Sequence, residues 1–237
     1  MQFHPQKCQV LKITNKRNKI NSTYKIHNTP LTETDSAKYL GITIDNKLTW
    51  KDHHTNTVRK ANNTLAFIRR NLTNCPPHIK EQCYTTLVRP ILEYGSAVWD
   101  PHHQKAIDKF EQINKRAARY VTGNYSYEPG SSKLNMEKLG WKPLEERRAI
   151  IKLHLFFKAK KKLLDIPLEH LKQNTRSGSR RPNTYAIPTS LVDSRLYSFY
   201  PSTIRLWNSL LADIKSSENC DTFKELLENS CVHKSKY

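Results

Sequence analysis

From Trp50 onward, apolar residues recur at intervals of three and four, and this spacing is the sequence feature that most limits how the chain can fold. Such intervals place apolar side chains on one face of an α-helix, whereas strands alternate with a period of two. The clearest run comprises Val58, Ala61, Leu65, Ile68 and Leu72. It predicts an amphipathic helix whose basic residues, Arg59, Lys60, Arg69 and Arg70, lie largely off the apolar face.

More helices are expected after this one. Cys75-Pro76-Pro77 should end the first helix, and a second should run from Ile79 to near Pro90, because proline lacks a backbone donor and interrupts helices. An apolar segment over residues 91–99 follows. The helical spacing then returns at Ile107, Phe110, Ile113, Ala117 and Val121. These segments predict a helical bundle over residues 47–122.

The residues before the bundle show a strand-like pattern. Strands are predicted over residues 8–13, 24–26 and 39–45, with a tight turn at His27-Asn28. Gly41 within the third strand allows a bulge or the close approach of another backbone. Residues 1–46 are therefore predicted to form a small β module.

The last region, residues 123–237, is predicted to be basic and mainly helical. A loop over residues 123–132 precedes a helix over 144–164, with apolar positions at Ile151, Leu155 and Leu163. One short helix should carry residues 204–214, and another should begin at a Thr222 and Glu225 capping box. The predicted fold class is α+β and mostly helical.

The charge balance indicates which class of partner the chain binds. The chain has 40 Lys and Arg against 21 Asp and Glu, a formal charge of +19, and this favours polyanions such as RNA and DNA. Residues 147–181 alone carry eleven Lys or Arg and two acids. No stretch approaches the roughly 20 apolar residues that span a bilayer, and the polar start carries no secretory signal, so we expect an intracellular chain, nuclear or cytoplasmic, without a membrane partner.

Catalytic and metal-binding patterns are sparse. The sequence has no glycine-rich phosphate loop, no G-x-S-x-G and no H-E-x-x-H, and its five cysteines include no C-x₂-C pair. The His53-His54 and His102-His103 pairs are adjacent, so their side chains diverge on a helix. Cys220, Cys231 and His233 lack a fourth zinc ligand. No metal or cofactor is therefore expected in this chain.

Several blocks occur in a fixed order: FHPQKC (3–8), KYLGITID (38–45), LTWKDH (48–53), LVRPILEY (87–94) and VWDP (98–101). They continue as KRAAR (115–119), LGW (139–141) and LWN (206–208), so they cover nearly the whole chain. Together they resemble the C-terminal part of the reverse transcriptase of jockey-like non-LTR (LINE-type) retrotransposons. The resemblance implies the end of an RNA-directed DNA polymerase.

The resemblance also implies roles for individual residues. Lys7 falls on the motif D lysine proposed to protonate the leaving pyrophosphate, although an ordinary solvated lysine beside a strand fits it better in this chain. Tyr39, Leu40 and Gly41 match the strand of the motif E primer grip, and the helices after Trp50 match the thumb. The family's motif A aspartate and Tyr-x-Asp-Asp turn, which hold Mg²⁺ in the full-length enzyme, do not occur here. Because two-metal phosphoryl transfer needs closely spaced carboxylates, the chain alone is expected to be inactive as a polymerase.

Template and primer binding should remain, through phosphate contacts that carry little base readout. The candidates are Arg59, Arg69, Arg70, Arg116 and Arg119 on the thumb-like helices, and Lys160, Lys161, Arg180 and Arg181 in the C-terminal region. The four tryptophans, Trp50, Trp99, Trp141 and Trp207, could stack on bases, but their spacing is more typical of core residues. The alternative function is a domesticated protein-interaction module whose basic charge is incidental.

Overall fold

The computed structural model describes residues 4–18, 22–126, 128–169, 171–174 and 183–230. The chain divides into two compact units, Met1–Thr57 and Val58–Tyr237. Short strands precede Lys51, and the described elements after it are helices, so the expected α+β, mostly helical class is confirmed. The division into regions 1–46, 47–122 and 123–237 stays a prediction.

The N-terminal unit contains paired two-stranded segments. Its strands in the described residues are β1 (Gln9–Leu11), β2 (Lys25–Ile26), β3 (Thr29–Pro30), β4 (Thr32–Thr34), β5 (Ser36–Tyr39) and β6 (Ile42–Asp45). Strand β1 pairs in parallel with β4, whereas β2–β3 and β5–β6 are antiparallel hairpins. The β module expected before the bundle therefore consists of short two-stranded pairs rather than one continuous sheet in the described residues.

Two-residue turns close both hairpins. His27 and Asn28 have φ angles of 47° and 62°, as a turn joining β2 to β3 requires, so the predicted turn is confirmed. Leu40 and Gly41 turn β5 into β6 with φ angles of 46° and 84°. The single strand predicted over residues 39–45 is therefore wrong: Gly41 serves a turn rather than a bulge, since glycine adopts positive φ without strain.

Helix α1 (Lys51–Asn71) buries the middle of the predicted apolar stripe, with Ala61, Leu65 and Ile68 at most 2% exposed, while Val58 and Leu72 are half-buried. The next helical segment does not end near Pro90. It runs through α2 (Pro77–Cys83), a wide π turn (Tyr84–Val88) and α3 (Arg89–Glu93). In the wide turn the N–H of Arg89 donates to the carbonyl of Tyr84, five residues earlier. This widening of the hydrogen-bond spacing from four to five residues accommodates Pro90, which has no N–H to donate within a regular helical turn.

Most of the remaining elements are helices: α4 (Ser96–Trp99), α5 (Gln104–Thr122), α6 (Ser131–Lys138), α7 (Leu144–Lys160), α8 (Asp193–Leu196), α9 (Phe199–Ser209), α10 (Ala212–Lys215) and α11 (Cys220–Asn229). Helix α5 buries every predicted apolar position. Helix α7 ends four residues earlier than predicted, and Lys162 follows it in the left-handed region with a φ of 58°.

The apolar face predicted for α7 is wrong. Ile151 and Leu155 are only half-buried and Leu163 is 63% exposed, whereas Leu153, Phe156 and Phe157 are at most 1% exposed. Phe156 and Phe157 pack in an aromatic core with residues of α9 and α11. The ring centroids of Phe157 and Phe223 lie 4.1 Å apart, and those of Phe156 and Trp207 lie 5.1 Å apart.

The end of the chain also departs from the prediction. The helix expected over residues 204–214 breaks at Leu210, whose backbone is extended, and Leu211 is 69% exposed. The last helix begins earlier than the capping box implied, because Asn219 Oδ1 accepts a hydrogen bond from the backbone N–H of Thr222 at 2.8 Å. Asn219 is therefore the N-cap, and Thr222 lies inside the helix.

Candidate nucleic-acid interface

Two hydrogen bonds fix α5 alongside α1. Arg116 Nη1 donates to Asn62 Oδ1 at 3.1 Å, and the Tyr120 hydroxyl donates to the carbonyl of Leu72 at 3.0 Å. These two contacts join α5 to α1 and to the residue that follows it. Both helices carry basic side chains.

We define the basic band as seven side chains of α1 and α5: Arg59, Lys60, Arg69, Arg70, Lys115, Arg116 and Arg119. All but Arg119 are exposed. Arg119 is half-buried, and its Nη2 donates to Ser132 Oγ of α6 at 2.9 Å, which ties the band to a third helix. The band thus belongs to two helices and contacts a third.

Acidic side chains are scarce around the band. Helix α1 has no carboxylate beyond Asp52 in its first turn. Within the described chain, five members of the band form no ion pair: Lys60, Arg69, Arg70, Lys115 and Arg116. Arg116 uses Nη1 for Asn62, and its guanidinium has further N–H donors. Exposed cations without nearby carboxylates are suited to contacts with phosphate oxygens.

The structure does not place the C-terminal candidates in the band. Lys160 is half-buried, with its Nζ 4.9 Å from the centroid of the Trp207 ring. Burial, together with the neighbouring charge of Lys161, lowers the pKa of Lys160. Lys161 is exposed, with its Nζ 5.5 Å from the Phe157 ring. Arg180 and Arg181 lie outside the described residues.

Three of the four tryptophans are core residues. Trp99 and Trp207 are fully buried and Trp141 is 9% exposed. The hypothesis that these three residues stack on bases is therefore wrong, and the alternative, that they are core residues, is confirmed. The Trp141 ring stacks on Tyr84 with centroids 4.5 Å apart, and its Nε1 donates to Glu81. Trp50 is half-buried in the N-terminal unit.

The residues matched to motif D and the primer grip lie in the N-terminal unit. Lys7 is exposed at the end of a single 3₁₀ turn, Pro5–Lys7. Tyr39 and Leu40 are 67% and 71% exposed beside and within the turn between β5 and β6. Exposure leaves these side chains available for contacts, and their roles stay predictions.

A buried ionic cluster was missed at the level of sequence. Asp100 binds Arg148 Nε through Oδ1 and Lys152 Nζ through Oδ2, each at 2.8 Å, and Lys152 also donates to Ser202 Oγ at 3.0 Å. Neither cation is more than 2% exposed. Both belong to the basic stretch over residues 147–181. Only their spacing of four residues, which places them on one helical face, hinted at a shared partner.

The turn after β6 depends on one carboxylate that sequence reasoning also missed. Asp45 accepts hydrogen bonds from the backbone N–H groups of Lys47, Thr49 and Trp50 and from the Thr49 hydroxyl. Burial tends to raise the pKa of Asp45, but these bonds outweigh it and lower the pKa overall. The ionised carboxylate therefore organises the chain between β6 and α1.

Among the residues that the structure describes, no three His, Cys, Asp or Glu side chains form a group that could hold a metal ion. No helix in the same part of the chain is both long and apolar enough to cross a membrane.

Comparison with known proteins gives partial matches. One is "Probable RNA-directed DNA polymerase from transposon BS" of Drosophila melanogaster, 29% identical over 105 residues, which are 43% of this chain and 12% of the relative. Another is "Probable RNA-directed DNA polymerase from transposon X-element" of the same organism, 25% identical over 101 residues, 41% of this chain and 11% of the relative. The chain thus matches about an eighth or less of each relative's length. No family model and no solved structure matches. The two similarities support a relationship to the reverse transcriptases of transposons.

Proposed function

We propose that this chain is the C-terminal part of a jockey-like non-LTR retrotransposon reverse transcriptase and that it holds template and primer through their phosphates. The observation that carries the proposal is the basic band, a set of exposed Lys and Arg side chains on two helices joined by a hydrogen bond. The similarity to two transposon polymerases supports a relationship to that class of enzyme.

The physical argument rests on how polymerases must hold nucleic acid. A polymerase slides along template and primer, so its grip has to use the repeating phosphates rather than particular bases. Each Lys or Arg that neutralises a phosphate releases condensed counterions, which makes binding strong at low salt and independent of sequence. A band with one sign of charge on packed helices meets this requirement.

The test measures binding of an RNA–DNA hybrid by fluorescence anisotropy. The band variant replaces Arg69, Arg70 and Arg116 with Gln. The matched control removes three exposed charges elsewhere in the same unit, at Lys172, Arg195 and Lys224. We expect the band variant to bind about tenfold or more weakly and the control to change much less, because phosphate contacts act at short range. Equal losses would show that net charge, not the band, determines binding.

The C-terminal basic residues are proposed as a secondary contact region. Replacing Lys161, Arg180 and Arg181 with Gln should weaken binding of unrelated sequences alike and flatten the salt dependence. Lys160 is better left intact in this experiment, because its ammonium packs against Trp207 and its replacement also alters the core. An unchanged salt slope would argue against these residues as phosphate contacts.

Catalysis belongs, in this proposal, to the full-length enzyme. Lys7 and the Tyr39, Leu40 and Gly41 turn would serve motif D and the primer grip there, next to Mg²⁺ held by carboxylates of the complete polymerase. The 237-residue chain, given primer–template, deoxynucleotides and magnesium, is expected not to extend the primer. Templated extension above a mock preparation would contradict this.

A further inference from the structure

Phe67 is an exposed aromatic residue within the basic surface of α1. Its side chain is 59% exposed, although other large apolar residues of the same helix, Leu65 and Ile68, are buried. Within α1, the positions at offsets of three, four and seven residues from Phe67 are Lys60, Asn63, Thr64, Arg70 and Asn71. These offsets lie on one side of a helix, so the neighbours of the ring are polar or cationic and none is acidic.

The composition of this stripe indicates which ligand it fits. A single exposed apolar residue is common on proteins and needs no explanation by itself. Here, however, the exposed ring lies among cationic and amide side chains, and the helix has no carboxylate after Asp52. An aromatic ring beside cations is the arrangement with which proteins bind single-stranded nucleic acid, because the ring stacks on a base while the cations contact phosphates.

We propose that Phe67 stacks on an unpaired base, so that the chain prefers nucleic acid with a single-stranded extension over a blunt duplex. Bases inside a duplex are covered on both faces by their neighbours, so away from the duplex ends the ring can stack only where a base is unpaired. Because stacking surfaces exist on every base, the preference is independent of sequence. This inference rests on the proposed function, since the basic band holds the adjoining phosphates.

The test compares a blunt RNA–DNA hybrid with the same hybrid carrying an extension of about four nucleotides, in RNA and DNA versions, with 2-aminopurine in the extension. Wild type, Phe67→Ala and Phe67→Trp are measured. The matched control is Tyr94→Ala, because Tyr94 is also aromatic and 59% exposed but follows Glu93 on another helix. Thermal melts verify that each variant is folded.

For Phe67→Ala, we expect affinity for the extended hybrid to fall roughly fivefold to a hundredfold, the range of base–aromatic stacking, while affinity for the blunt hybrid stays the same. Wild type should change the 2-aminopurine fluorescence, Phe67→Trp should retain this change, and Phe67→Ala should lose it. Tyr94→Ala should behave as wild type.

Two results would overturn the inference while leaving the proposed function intact. One is salt-sensitive binding of both hybrids by wild type with equal affinity, and the other is a Phe67→Ala variant that keeps the wild-type preference and fluorescence change. Absence of salt-sensitive binding to any of the substrates would instead overturn the proposed function, and this inference with it.

Discussion

Asp100 holds two cationic side chains inside the C-terminal unit. Its carboxylate oxygens each contact one cation at 2.8 Å, Arg148 through Nε and Lys152 through Nζ. Among the described residues, the Nη1 and Nη2 atoms of Arg148 have no hydrogen-bond partner, and the Arg148 guanidinium lies 5.4 Å from the Phe110 ring centroid. Asp100 therefore supplies the main compensation for buried positive charge.

Replacing Asp100 with Asn should strongly destabilise the C-terminal unit. Removing one partner of a buried ion pair costs roughly 3–5 kcal/mol, because the remaining charges stay buried without compensation. Chemical denaturation measures this cost. The control is Glu93→Gln, which breaks the pair with Arg147 at a site where both side chains are partly exposed, 16% and 31%. A loss no larger than that of the control would show that the Asp100 cluster is hydrated.

His53 should make the N-terminal unit sensitive to acid. Its Nδ1 accepts the backbone N–H of Thr43 at 3.2 Å, which requires a neutral ring, and burial together with neighbouring His54 lowers the pKa of His53 to about 4. The unfolded chain therefore binds a proton at higher pH than the folded chain. The contribution of His53 to stability is present above about pH 6.5 and is lost as the pH falls towards 4.

The measurement compares wild type with His53→Gln by denaturant unfolding at pH 7 and pH 5. Between these values, wild type should lose roughly 2 kcal/mol more than the variant, which cannot take up this proton. Parallel pH profiles for the two proteins would contradict the assigned role of His53.

At the residue scale, sequence patterns identified charge but not burial. Nothing local to Arg148 and Lys152 indicated that they are buried, since their partner Asp100 lies 48 and 52 positions away in the sequence. The sequence also did not reveal that Lys160 packs against Trp207. A lysine can cover an apolar ring with its side chain while its charged end stays near water. Such contacts between distant segments leave no local signal.

At the scale of elements, α1 provides a direct test of the apolar stripe. Leu65→Asp and Ile68→Asp should each destabilise the fold by several kcal/mol, because both positions are 2% exposed and would bury an unpaired charge. Phe67→Asp on the same helix is the control and should change the thermal midpoint little, since that position faces solvent. Unchanged midpoints for the two buried positions would show that the stripe does not face a core.

The N-cap of α11 distinguishes the observed start of that helix from the one predicted. Asn219→Ala should cost about 1 kcal/mol, because the backbone N–H of Thr222 loses its acceptor. Thr222→Ala should cost less, since its side chain does not cap the helix. If Thr222→Ala proved the more damaging change, the helix would begin where the capping box placed it.

Elements with one buried side were predictable, and elements buried on several sides were not. Helices α1 and α5 each bury one stripe, so their period of three to four was visible. Helix α7 buries polar as well as apolar positions around much of its surface, which hid its orientation. The Leu40-Gly41 turn was missed because leucine rarely adopts positive φ, here 46°.

At the scale of the whole molecule, the fold class followed from the change in period at Trp50, and the candidate interface followed in part from composition. The charge of +19 indicated a polyanion partner, but only contacts between elements show which basic side chains lie near the core. Arg59, Arg69, Arg70 and Arg116 are exposed on α1 and α5, whereas Lys160 and Lys161 lie close to aromatic rings of the core. Packing between helices distant in sequence decides this distinction.

The most direct test of phosphate binding is the salt dependence of affinity for RNA–DNA hybrids of two unrelated sequences. If the band contacts six or more phosphates, affinity should fall by roughly three orders of magnitude or more between about 50 mM and 200 mM salt, equally for both sequences. The Arg69, Arg70 and Arg116 variant should show a shallower slope. Affinity that is insensitive to salt, or no binding of either hybrid, would contradict the proposal that this chain binds nucleic acid through its phosphates.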